Sequence, residues 1–108
     1  MHSKKVNTLI RHIVMWKLKE TAEGASRAAN VVKLKGLLEG CRDLVPGMLH
    51  LEVGLAEPGL LSTYDIALVS DFADKAALDA YQDHPDHLVV KKFAQAVVET
   101  RQCVDYLA

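Results

Sequence analysis

Cysteine, proline and aromatic residues are all scarce in this 108-residue chain, which has two Cys, three Pro and six aromatic side chains. Cys41 and Cys103 are too few and too far apart for a disulfide framework or a four-ligand zinc site, so both read as reduced packing residues. Neither sign of charge prevails. Thirteen Lys and Arg against fourteen Asp and Glu give a net charge of −1, with no basic block. That balance excludes an electrostatic footprint for nucleic acid or an anionic bilayer. No apolar run approaches the roughly 20 residues of a membrane span. Met1 to Lys5 are polar and basic, but they lead into an alternating segment and not into the apolar stretch of a secretory signal. A cytoplasmic location is expected, with residues 1–8 a loose leader ahead of one domain, 9–108.

Half of the residues are apolar and a quarter are charged, enough for a single core. Leu9 to Lys19 alternates, with Ile10, His12, Val14, Trp16 and Leu18 on one face and Arg11, Ile13, Met15 and Lys17 on the other, as in a strand. From Ser26 to about Val45, Ala28, Val31, Leu34, Leu38, Cys41 and Val45 recur at helical spacing until Pro46-Gly47 stops them. Gly36 and Gly40 weaken that helix. Met48 to Glu57 and Tyr64 to Phe72 read as an antiparallel pair, with Leu49, Leu51, Val53 and Leu55 forming the apolar face of the first strand. Asp74 caps a helix carrying Ala77, Leu78 and Tyr81. His84-Pro85 interrupts it, and a second helix follows with Val90, Phe93, Ala94 and Val97 inward. Arg101 to Leu107 closes the chain as a strand.

This order is an α+β, ferredoxin-like β-α-β-β-α-β arrangement, with a four-stranded antiparallel sheet and helices on one face. The uncovered face would still carry Ile13, Met15 and Val69, so a second copy of the sheet is expected against it, as in a homodimer.

Chemistry concentrates in Tyr81-Gln82-Asp83-His84-Pro85-Asp86-His87. As a metal site this segment offers His84, His87 and carboxylates at Asp83 and Asp86, but His-x-x-His alone supplies two ligands and no other His or Cys cluster completes the set, so no metal is expected. As an acid-base site, His87 lies in the first turn of a helix, where the dipole favours the neutral imidazole that can accept a proton. Tyr81 would orient it, and His12 would face the same pocket from the first strand. The structural alternative has His84 capping the helix, Tyr81 as a core aromatic and His87 bonded to a nearby carbonyl. Trp16 reads first as core. With His84, Leu68 and Phe93 it is expected to contact any ligand held under the helices. His50 reads as solvated or at an interface, and Cys103 lacks a basic neighbour to activate it.

These segments together, Ile10-Arg11-His12-Ile13-Val14-Met15-Trp16-Lys17, Pro46-Gly47, Tyr64-Asp65-Ile66-Ala67-Leu68-Val69 and above all Ala77 to His87, resemble the stress-responsive dimeric α/β-barrel family, Dabb, over Leu9 to Leu107. The resemblance implies a ferredoxin-like fold whose sheets pack face to face in a homodimer. A plant branch of the family closes linear polyketides by aldol condensation without metal or organic cofactor, using a histidine paired with a tyrosine. It thereby points to His87 and Tyr81, with His12 as a further pocket histidine and no cofactor. Ile66 stands where those cyclases have another histidine, and the first helix has no tyrosine. The expected function is a cofactor-free binder or cyclase-like acid-base enzyme for a small apolar carbonyl compound. The alternative is a non-catalytic, stress-associated homodimer that sequesters a ligand or docks a partner.

Overall fold

A computed structural model describes residues 8–108. Apart from Thr8, the expected leader lies outside the described residues. The elements in chain order are β1 (Ile10–Leu18), β2 (Thr21–Ala22), β3 (Ala25–Ser26), α1 (Arg27–Glu39), β4 (Met48–Leu55), β5 (Ile66–Phe72), α2 (Lys75–Asp83), α3 (Pro85–Val97) and β6 (Val98–Leu107). Four strands form one antiparallel sheet in the order β4-β5-β1-β6. The fold is ferredoxin-like.

Local chemistry explains the boundaries. Ser26 caps α1 by accepting from the Ala29 N–H at 3.2 Å. The helix stops at Glu39, short of the expected Val45, because Gly40 forms the cap and Asp43 adopts φ 60°, a conformation no helix continues through. Cys41 and Val45 stay buried in the turns beyond it. The short β2–β3 hairpin was not expected from the pattern. Its two-residue turn, Glu23-Gly24, has φ of 52° and 72°, positive at both positions as the right-handed twist of a tight hairpin favours. In β4 the expected face Leu49, Leu51, Val53 and Leu55 is broken by a register shift between Met48 and His50. Met48 and Leu51 point into the core, whereas Leu49 and Leu55 are exposed.

Asp74 caps α2 through the Ala77 N–H at 2.9 Å. Pro85 then occupies the first position of α3, where its missing N–H costs nothing. Gly47, at the end of the α1–β4 link, has φ +89°, and a Cβ built there would lie 2.7 Å from the Ala77 Cβ. Gly47→Ala would combine left-handed strain with that clash, so a loss of about 2 kcal/mol is expected in urea unfolding.

The core lies between the helices and one sheet face. Val14, Trp16 and Leu18 of β1 meet Leu34 and Leu38 of α1, Leu68 and Phe72 of β5, and Val90 and Val97 of α3. Among the described residues nothing covers the other sheet face. Ile13 lies between Val69 and Val104 across the sheet, and Met15 between Ala67 and Gln102. Met15, Val104 and Tyr106 are 39%, 54% and 43% exposed. Amid this apolar strip, Arg11 makes a two-pronged bond to the Asp71 carboxylate, at 2.8 and 3.1 Å.

Candidate functional site

Between the inner sheet face and helices α1 and α3 lies a cavity of about 550 Å³, within the range of small-molecule sites. Its floor comes from His12, Val14 and Trp16 of β1 and Leu68 of β5, and its roof from Leu34 and Leu38 of α1. His87, Val90, Lys91 and Ala94 close it along α3. The lining residues Gln95, Glu99 and Arg101 are exposed and mark its mouth.

His12 is buried, and its Nδ1 lies 2.5 Å from Oδ1 of Asp105, the residue directly opposite on β6. An ionised carboxylate can only accept, so Nδ1–H donates, and in the neutral ring the free lone pair is on Nε2. The Asp105 side chain is 42% exposed, so the pair is formed without taking its carboxylate fully out of water. The pair thus has a fixed tautomer, a fixed ring orientation and one available basic atom.

His87 is the third residue of α3 and is also buried. Desolvation, and after it repulsion from the Lys91 ammonium and from His12 and His84 whenever they are protonated, lowers its pKa to about 4. It is therefore neutral at pH 7. Its Nδ1 is buried without a hydrogen-bond partner among the described residues. Carrying the proton on Nε2 leaves an unpaired acceptor inside, and makes the ring a neutral donor on its other side.

Tyr81 does not line the cavity, contrary to the expectation that it shares the wall with the histidines. It is fully buried between Phe72, at a centroid distance of 5.2 Å, and His87, stacked at 4.2 Å and 25°. Burial raises its phenol pKa well above the ordinary value, and its Oη has no hydrogen-bond partner among the described residues. Tyr81 thus fixes the plane of His87 by stacking and not by a hydrogen bond. His84 also stands off the cavity. Its Nδ1 accepts from the Asp86 N–H at 3.0 Å, so it serves as the α3 cap. Phe93, expected at the ligand, is half-buried outside the lining with the Lys33 ammonium 4.5 Å from its ring centroid. Trp16 and Leu68 do line the cavity, and His50 is exposed 3.5 Å from Glu52.

A family model for the stress responsive A/B barrel domain matches residues 10–108. The chain belongs to the Dabb family. It is 27% identical to the stress-response A/B barrel domain-containing protein DABB1 of Arabidopsis thaliana over 108 residues, which cover 95% of the chain and 49% of that relative. The chain therefore spans about half the length of the curated relative it matches. A crystal structure described as a dimeric protein of unknown function with a ferredoxin-like fold, from Bacteroides fragilis, superposes with a TM-score of 0.79 at 29% identity, covering 94% of this chain and 97% of that one. A hydroxynitrile lyase from Passiflora edulis superposes with a TM-score of 0.74 at 19% identity over 95% of each chain, a likeness in fold alone.

Two features of this Dabb domain escaped the sequence reading. Asp105 is one, although a carboxylate on the inward phase of the last strand was a usable signal once β1 and β6 were paired. The mouth residues Lys91 and Arg101 are the other, since a lone cation in a helix or strand reads as solvated surface. Among the described residues, no three His, Cys, Asp or Glu side chains gather as a metal site would need, and no helix is long and apolar enough to cross a membrane.

Proposed function

We propose that this Dabb domain binds a small, mostly apolar carbonyl compound in the cavity and moves a proton on it, with no cofactor. The observation that carries this reading is the His12–Asp105 pair at 2.5 Å on the wall of a largely apolar chamber. In this scheme His12 Nε2 takes a proton from the carbon beside the carbonyl. The C–H electron pair moves into an enolate, and His87 donates to the developing oxyanion. These roles invert the sequence-based expectation, in which His87 was the base. An imidazole with a pKa of about 4 is a weak base but a good neutral donor. The Passiflora edulis hydroxynitrile lyase shares the fold, so the fold accommodates an enzyme.

The withdrawal of Tyr81 from the cavity wall favours a second reading, a binder that sequesters its ligand without turning it over. Proton NMR of 2-octanone in D2O separates the two. Catalysis predicts that the signals beside the carbonyl decay faster with protein than in buffer. Binding without faster decay supports sequestration, and neither binding nor decay would dismiss both.

The assembly belongs to the same proposal. The uncovered strip around Ile13, Val69 and Val104 suits a second copy, and the Bacteroides fragilis relative is described as dimeric. Sedimentation equilibrium at micromolar concentration is expected to return twice the single-chain mass, and a single-chain mass would refute the homodimer.

A further inference from the structure

The cavity mouth holds two cations, Arg101 and Lys91, neither of which has an ion-pair partner among the described residues. Arg101 lies on the inner face of β6, directly across from Trp16, and its guanidinium makes no ion pair or hydrogen bond among the described residues. Lys91, one turn after His87 on α3, has only the Gln82 carbonyl oxygen, 3.4 Å from its Nζ. The nearby carboxylates are engaged elsewhere. Asp105 holds His12, and Glu99 faces the Lys17 ammonium at 4.0 Å. The chamber behind this mouth is lined mainly by apolar side chains, so the positive charge sits at one end of a greasy space.

We propose that Arg101 and Lys91 form an anion subsite, and that the ligand is an oxo-carboxylate whose carboxylate sits at the mouth while its carbonyl reaches the two imidazoles. The inference rests on the reading of the cavity as a carbonyl-ligand site and names the substrate class for it. A guanidinium fork matches a planar carboxylate in two-pronged fashion, and an ammonium adds a point charge. A single negative charge suits the site better than a dianion, because Glu99 also lines the mouth. Spacing sets the ligand's length. Arg101 and Asp105 are four residues apart on one face of β6, about 13 Å along an extended strand. After both side chains lean inward, the carboxylate and carbonyl must be separated by several bonds, not by one or two.

The test uses 7-oxooctanoate and its methyl ester, titrated against the full chain and followed by emission of Trp16, the only tryptophan and a lining residue. At low salt the acid is expected to bind about tenfold more tightly than the ester. The preference should shrink in about 0.5 M sodium chloride. Arg101→Gln should remove most of the acid-over-ester preference, and Lys91→Gln should remove part of it. Equal affinity for acid and ester in the wild type, or a preference that survives the double variant, would overturn the anion subsite and leave the carbonyl site standing. No response to either compound would overturn both.

Discussion

Replacing His12 by alanine is expected to slow exchange of the protons beside the 2-octanone carbonyl by about 10³-fold, the usual contribution of a positioned general base. Asp105→Asn should slow it nearly as much, by about 10²- to 10³-fold, because an asparagine that holds the histidine in the wrong tautomer removes the base. Asp105 acts through His12, so its variant also carries a signature that packing alone would not produce. An asparagine amide can present its N–H to Nδ1 and so stabilise the wrong tautomer, leaving Nε2 protonated. The pH dependence of the residual rate should therefore change in Asp105→Asn, whereas a merely structural loss would lower the profile without changing its shape. His87→Gln keeps a neutral N–H donor and should retain more activity than His87→Phe, which keeps the bulk and loses the donor. The assignment fails if His12→Ala exchanges at the wild-type rate while His87→Gln is inactive, an outcome that would return the base to His87.

The alternation of β1 was enough to place His12, Val14 and Trp16 under the helices and Ile13 and Met15 on the far side, and the register bears this out residue by residue. The ferredoxin-like fold was legible for the same reason, since period-2 and helical patterns each bury one face, whereas the Dabb resemblance rested on particular segments, above all Ala77 to His87. Legibility stopped where a single residue redirects the chain. The shift between Met48 and His50 turns Leu49 outward, and Asp43 at φ 60° ends α1 early, yet neither disturbs the hydrophobic count on which the pattern rests. Pairing across long separations was harder still. His12 and Asp105 are 93 residues apart, and their contact depends on β6 choosing β1 as its neighbour. The Tyr81–His87 relation was found as a pair but not as a geometry. Spacing brings the rings together around the Pro85 break, but whether the phenol bonds or stacks depends on the packing of Phe72 behind it.

Acidification should destabilise the fold through His87 before most carboxylates are protonated. An unfolded histidine titrates near 6.5, whereas His87 in the folded chain titrates at about 4. Between these values the unfolded chain binds a proton that the folded chain refuses, so stability rises with pH across this window. Above pH 6.5 both states are neutral at this site and the contribution is flat. As pH falls from 6.5 to 4 the fold loses up to about 3 kcal/mol from this residue alone, at 1.36 kcal/mol per pKa unit. The groups that oppose the imidazolium are identifiable. Lys91 follows it on α3, His12 faces it from β1, His84 precedes it at the cap, and Tyr81 is stacked on it as an uncharged phenol. Urea unfolding at pH 7, 5.5 and 4.5, at one protein concentration, should show a midpoint that drops with pH in the wild type and drops less in His87→Gln, which cannot take up the proton. Parallel declines in the two proteins would mean that His87 is as easily charged inside as outside. In that case His12 and His87 could exchange roles in the chemistry, because an imidazole that protonates freely in place is no longer confined to donating.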